Sequence, residues 1–460
     1  MQEISAQASR CGCAHTAPLI LTAIARAKCG GQVKAVLPER RSIGVESMDK
    51  RTVVSSLRSK AQNRACLIFY IGLTIELFIV IIDKSNYINP IEGRLFQITF
   101  VLFLLKLLLT DYTKKEWCVI LLLEATAFAS YRITGANDLI RIVTFVAACK
   151  DIPLKQMLKY IFYVTLAGCA AIIVLSVTGI YGEISLTQAY GREGAEIARY
   201  TGEALETQTR YTLGMGHPNA LFCMFLMLMM LGVYIYFDNM KWYIYLFLMM
   251  LNVGAYTLTD SRTGMLIGTI FLVGACVLTY CRFLRERAFV YVCGLLVFAL
   301  CIGFSVDAAV YAPKVRQAQW DAYFLGDPGD DRHTLAMMRI DSHISGRIVS
   351  LTNSENNDGS IQTWSAFSEP NNMNYYFDMG WVKLFYRYGV VPGSLYIAAC
   401  LALMWQLYKK KDACGLLLFA TLAVYTVVEA HLISVYIGRN YLLVMMGYYL
   451  LTPIRNSELE

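Results

Sequence analysis

The chain is poor in charge. Only 16% of its 460 residues are Asp, Glu, Lys or Arg, where a soluble protein carries about a quarter. The deficit argues against a soluble globular chain. Other absences narrow the function. There is no Gly-Lys-Ser/Thr run to cradle a nucleotide phosphate, so nothing points to an ATPase. No outward loop holds an Asp-x-Asp pair to carry a metal with a sugar nucleotide. The short cytoplasmic loops leave no room for a nucleotide-sugar domain. No internal repeat and no low-complexity segment is present. Cysteine is plentiful, 14 in all, yet the two long loops at 181–216 and 311–378 have none, which argues against extracellular disulfides. Cys11 and Cys13 form a "CGC" pair in the tail with no His/Cys partners at zinc spacing, so neither metal nor cofactor is expected.

What the sequence does have is apolar length. Hydrophobic residues make up 57% of the chain, clumped into runs near the ~20 residues that cross a bilayer as a helix. The runs do not alternate, as the strands of a membrane β-barrel would. The expected fold is an all-α polytopic membrane protein with about twelve transmembrane helices. They fall near 66–82, 95–110, 117–130, 138–149, 159–180, 217–237, 242–258, 263–281, 288–310, 386–407, 413–433 and 440–454. The third and fourth are short and flank "YRITGAND", like a broken or re-entrant pair buried in the bundle.

The net charge of +7 comes from the amino-terminal end. Residues 1–64 hold eleven Lys/Arg against four Asp/Glu. This is the positive-inside pattern of a cytoplasmic tail rather than a nucleic-acid surface. Within residues 1–65, positions 1–47 lack helical period and signal-peptide shape, and "SMDKRTVVSSLRSK" reads as an ordinary start. Residues 1–47 are therefore expected to be an upstream extension, with Met48 as initiator. Peptide mapping of the native protein checks this. With the tail inside, the cytoplasmic loops carry twelve Lys/Arg, and the short outer loops carry five: Lys84, Arg94, Arg132, Arg262 and Arg439. Both termini, including 455–460, then face the cytoplasm. The loops 181–216 and 311–378 face outward. The second carries Trp320, Tyr323, Trp364, Tyr375, Tyr376 and Phe377, too many aromatics for a disordered linker, so a small folded cap is expected there. Helices 1–9 then occupy 66–310 and helices 10–12 occupy 379–454.

Polar chemistry gathers on the outer side. Arg210 ends the first long loop, Arg262 sits in "TDSRTG" with Asp260 and Ser261, and Arg347 sits in "SHISGRIVS". Each has a bland reading as a headgroup anchor. For Arg262 the tight turn between two spans weakens that reading. Three converging guanidiniums suit a diphosphate, whose oxygens match their fork, and charge this close to a membrane tends to mark function. In "RYTLGMGHPNALFCMFLMLMM" the glycines permit a tight turn and Pro218 opens a helix. Asn219 caps that helix or lines a cavity, and His217 is an interfacial hydrogen-bonding residue or a substrate contact. The Met-rich run reads as lipid-facing and packing surface, tolerant of a flexible polyprenyl chain. Asp378 is an N-cap carboxylate or a general base beside an apolar wall. Around the last outer turn stand Glu429, His431, Arg439 and Asn440, with Glu429 and Arg439 expected to pair as a clamp.

In order and spacing, "GMGHPNALF", "YTLTDSRTGMLIG", "ISGR" and "FDMGWVKLFYRYGVVPG" resemble the oligosaccharide repeat-unit polymerases of the Wzy type and, more distantly, the O-antigen ligases. The resemblance covers roughly residues 66–454. It implies a GT-C-like bundle with a large late extracytoplasmic loop in a bacterial cytoplasmic membrane. It implies transfer of an undecaprenyl diphosphate-linked glycan to a second lipid-linked repeat unit, inverting and without metal, beside flippase and chain-length regulator proteins. Arg262 and Arg347 would serve the diphosphate and Asp378 the acceptor hydroxyl. Arg210, His217, Asn219, Asp260, Ser261, Tyr386, Glu429, His431, Arg439 and Asn440 would contact substrate. Met379 stands where the polymerases usually have asparagine. The ligases' histidine is missing here, which favours polymerase. A ligase acting on another acceptor, and a transporter without chemistry, are the rival readings.

Overall fold

The computed structural model describes residues 50–189, 207–285, 288–352, 359–370 and 377–451. The expectations for residues 1–47, Met48, Cys11, Cys13, Tyr375, Tyr376 and the 455–460 tail lie outside these. The chain divides into two units, residues 1–56 and 57–460. Of the first, residues 50–56 are described, as helix; the second carries everything that follows.

The described residues are built mainly of helices. In chain order these are α1 (Lys50–Asp83), α2 (Glu92–Leu108), α3 (Lys114–Thr134), α4 (Asp138–Ala148), α5 (Leu154–Val177), α6 (Pro218–Tyr236), α7 (Trp242–Thr259), α8 (Arg262–Tyr280), α9 (Ala288–Phe324), α10 (Arg332–His343), α11 (Gly380–Tyr388), α12 (Val390–Lys409), α13 (Ala413–Val428) and α14 (Tyr441–Leu451). Strands β1 (Ser185–Ala189) and β2 (Thr207–Tyr211) pair antiparallel, with Leu186 opposite Arg210. Local chemistry sets the ends. Thr113 and Glu116 form a capping box on α3, and Gly135 closes it in a left-handed conformation. Pro218 occupies the first turn of α6, where its missing N–H costs nothing.

Among the described residues, eight helical segments are long and apolar enough to cross a membrane: Gln62–Asp83, Lys114–Thr134, Leu154–Val177, Pro218–Asn239, Trp242–Thr259, Arg262–Tyr280, Ala288–Phe324 and Val390–Lys409. Two shorter apolar helices, α13 and α14, accompany them. Large apolar side chains such as Leu122, Phe247, Leu266 and Leu300 stand exposed along the outer helices, a surface suited to lipid and costly in water. The chain is a mostly helical, membrane-embedded protein.

Several boundaries differ from the sequence reading. Helix α3 runs through "YRIT" and is of crossing length, while α4 has only 11 residues. Helix α9 continues past 310 to Phe324. At 37 residues it measures about 55 Å, well beyond a ~30 Å hydrocarbon core. The loop at 311–378 therefore begins as helix. The Met-rich run is not lipid-facing: Phe222, Cys223, Met224, Leu226, Met227, Leu228, Met229 and Met230 are all buried. A helix apolar on every side belongs in the interior, and α6 packs against α5, α7, α8 and α13.

Candidate functional site

The polar residues assemble at the end of the bundle where α6 begins. Gly216 N–H donates to the Lys84 carbonyl (2.9 Å), and Ser85 bridges Met215, which joins the end of α1 to the start of α6. Leu213 and Gly214 both have positive φ (48° and 82°). A Cβ on Gly214 would lie 2.8 Å from Ser176 Cβ, so the "GMG" turn needs its first glycine. His217 caps α6: its Nδ1 accepts from Asn219 N–H at 3.1 Å. The interfacial reading of His217 thus has a defined bond. Asn219 turns its side chain outward instead of capping, and its Oδ1 accepts from Arg210 at 2.9 Å.

Arg210 also donates to the Thr259 carbonyl at the end of α7. Asp260 follows in a left-handed conformation (φ 48°), accepts from Gln208 at 3.2 Å and lies 3.7 Å from Arg262. Ser261 stands at the start of α8. Arg210, Asn219, Asp260, Ser261 and Arg262 therefore form one group. The Arg262 side chain is 69% exposed, at the rim rather than inside.

Arg347 belongs to a second, buried group. Ser345 and Gly346 both take positive φ (63° and 70°), turning the chain sharply after α10. Fully buried Asp341 accepts from Ile348 N–H at 2.6 Å and fixes the turn. Arg347, 6% exposed, reaches Asp378 at 3.0 Å and Glu429 at 2.7 Å and also donates to the Val428 carbonyl. Burial opposes its charge, but the Glu429 and Asp378 carboxylates outweigh that and raise its pKa. Asp378 does not cap a helix, since Met379 holds the N-cap position of α11. The expected Glu429–Arg439 clamp does not form either. Glu429 pairs with Arg347, while Arg439 lies 3.6 Å from Asp83 and donates to Ser434.

One turn along α6 from Asn219, Cys223 Sγ lies 3.0 Å from His431 Nδ1; Asn219 and Cys223 thus tie the two groups to one helix. Asp83 bridges Lys84 (3.2 Å) and Arg439 (3.6 Å). Two predicted contact residues also make structural bonds. Asn440 donates to the Leu432 carbonyl at 2.9 Å, holding the 432–440 turn closed. Tyr386 is buried against Phe377, and its carbonyl accepts from Ser368 at 2.8 Å.

Sequence reasoning missed Lys383. It lies on α11 and is 8% exposed. Burial first, then the charges of Arg387 and Arg439, push its amine down to about 7; Asp378 pulls the other way and Lys84 adds to the lowering. A lysine among Trp, Val, Leu and Phe in "WVKLFYRYG" was the available signal.

It also missed the polar face of α4. Asp138 pairs with Arg387 of α11 at 2.7 Å. Arg141 pairs with Glu76 of α1 at 3.0 Å and donates to the Val435 carbonyl at 3.3 Å. Thr144 donates to Glu124 of α3 at 2.7 Å. Spacings of three put all three residues on one helical face. That face holds α11 and the 429–440 turn, which carry most of the buried group. Glu76, a lone acid within an apolar run, was the signal.

Comparison with protein-family models, curated proteins and solved structures finds no match to this chain.

Proposed function

We propose that this protein is a membrane glycosyltransferase that polymerises undecaprenyl diphosphate-linked oligosaccharide repeat units. It acts on the outer face of a bacterial cytoplasmic membrane, within a GT-C-like bundle of twelve crossings with both termini inside. Flippase and chain-length regulator proteins are its expected neighbours. The observation that carries this reading is the burial of Arg347 between Asp378 and Glu429 at the polar end of the bundle. Charge stabilised at such a site is there to act on charge.

In this reading the diphosphate takes the place of a carboxylate at Arg347. The guanidinium then meets the negative charge that grows on the leaving oxygen as the anomeric bond breaks. Arg210 and Arg262 lie at the rim and draw the anionic donor in. Asp378, released from Arg347, faces the acceptor hydroxyl, and attack opposite the leaving group inverts the anomeric carbon.

The test is chain extension by purified protein in nanodiscs supplied with the host's lipid-linked repeat unit. A ladder that Arg347→Ala and Asp378→Ala abolish supports a polymerase. Transfer only to an added acceptor makes it a ligase. A second reading, a transporter, is favoured by the buried Glu76–Arg141 pair, since carriers place charges within the membrane. No transfer to any acceptor by folded protein would leave that one standing.

A further inference from the structure

A second charged cleft lies at the opposite end of the bundle from the candidate site. Helix α13 joins the two ends. It begins at the cleft and stops at Glu429, about 24 Å away for its 16 residues. The cleft has a volume of about 230 Å³ and sits between the α8–α9 link, the start of α9 and the turn from α12 to α13. Its charged lining is Arg285, Lys409 and Lys411, with no carboxylate among the lining residues. The acids at this end are engaged. Asp238 holds Arg285 at 2.7 Å and Lys155 at 3.5 Å. Asp412 accepts from the Tyr234 and Tyr449 hydroxyls at 2.7 and 2.6 Å and from Gly415 N–H at 2.8 Å. Lys409 and Lys411 remain as surplus positive charge.

Apolar walls complete the cleft: Val290, Tyr408 and Leu416. The Tyr408 ring stacks on Tyr291 at 4.8 Å and lies 5.6 Å from Trp405. The Lys409 amine sits 5.1 Å over the Trp405 ring. Trp405 and, one turn further along α12, Leu401 are exposed. The cations therefore open onto an apolar helix face. Aromatic rings at helix ends belong to the membrane–water interface, and a charged pocket that leads into such a face suits an amphiphile rather than a free ion. The dipole of α12 accounts for Lys409, in its last turn. It does not account for Lys411. The N–H groups of Lys411 and Asp412 donate to the Tyr408 and Leu407 carbonyls at 3.0 and 2.9 Å, the helix-closing motif whose turning residue is usually glycine. Lys411 makes that turn at φ 54°, with a steric cost that glycine avoids. The strained turn keeps an ammonium at the cleft.

We propose that this cleft seats the headgroup phosphate of an anionic phospholipid in the leaflet opposite the candidate site. Lys409, Lys411 and Arg285, which has donors to spare beside Asp238, meet the phosphate oxygens. The acyl chains run along Trp405 and Leu401. Three cations around one phosphate favour a lipid of net negative charge over a zwitterion, whose own ammonium they repel. The seat stands independently of the glycosyl-transfer reading.

The experiment is native mass spectrometry and thermal unfolding of the full chain in detergent, with phosphatidylglycerol or phosphatidylcholine added. Wild type should retain phosphatidylglycerol and unfold at a higher temperature with it, and phosphatidylcholine should do neither. Lys409→Gln/Lys411→Gln should bind phosphatidylglycerol roughly 30-fold more weakly, the weight of two basic residues near a membrane surface. Lys155 pairs with Asp238 and Lys159 lies over the Tyr236 ring, both at the same end but outside the cleft. Lys155→Gln/Lys159→Gln should therefore bind as wild type does. Lys411→Gly should unfold no lower than wild type without lipid, because glycine takes the turn freely, yet bind the lipid less; this separates lost binding from misfolding. Equal losses in the two double variants would reveal a diffuse positive field and overturn the seat, as would equal retention of the two lipids or of neither. Millimolar inorganic phosphate should not displace the lipid. Displacement would make the cleft a site for soluble phosphate and overturn the lipid assignment.

Discussion

Arg347 and Asp378 meet at 3.0 Å with both side chains nearly closed to solvent, and Glu429 completes the pair from the other side at 2.7 Å. One buried cation thus joins the turn after α10, the approach to α11 and the end of α13. Its loss would be felt in both activity and folding.

Removing Asp378 or Glu429 leaves Arg347 under-compensated inside the protein. Breaking a buried pair costs about 3–5 kcal/mol. Because a second carboxylate remains, each single alanine variant should lie at the lower end of that range. Thermal unfolding in detergent, with Arg347→Ala alongside, measures it. Arg347→Ala should also reduce chain extension by about 100-fold or more.

Arg262 should behave differently. Its side chain is 69% exposed, so Arg262→Ala should reduce activity less than Arg347→Ala does, and its effect should shrink as salt rises. Rates of both variants at two ionic strengths test the difference. Equal and salt-independent losses would place Arg262 inside the site after all.

The Glu76–Arg141 pair is closed to solvent on both sides. Glu76→Gln or Arg141→Met alone should destabilise by about 3–5 kcal/mol. The double variant should recover much of that, because no unpaired charge remains. A double-mutant cycle by thermal unfolding gives the answer.

Gly389 joins α11 to α12 at φ 91° and ψ 168°, a region that is essentially glycine-only. A Cβ there would come within 2.5 Å of Phe367 Cα. Gly389→Ala should cost at least about 2 kcal/mol and shift α11 with its Lys383. Unfolding temperature and chain extension should fall together.

Lys383 gives stability a pH signature. Its folded-state pKa is lowered to about 7, so between about 7 and the ordinary lysine value the unfolded chain binds more protons than the folded one. Stability therefore rises with pH across that window and falls as pH drops towards 7. The slope reaches at most about 1.4 kcal/mol per pH unit. Lys383→Met should flatten it, as denaturation measured from pH 7 to 10 would show.

The sequence by itself determined the membrane class and the helices. Runs of about twenty apolar residues leave a backbone in lipid little choice but helix. It also marked the local turns, because Pro218 fixes its own φ and Gly214 and Gly346 take without strain the positive φ those turns use. It placed most of the polar residues at their element ends. The partnerships were decided by tertiary structure. Glu429 lies as near in sequence to Arg439 as an ion pair requires, yet it faces Arg347. Asp138 is far along the chain from Arg387, yet the two are 2.7 Å apart. Pairing across a bundle depends on which helix faces which, and single-helix periodicity does not carry that. The same holds for α6, whose unbroken apolar surface suits lipid or core equally; only the packing of α5, α7, α8 and α13 around it made it core.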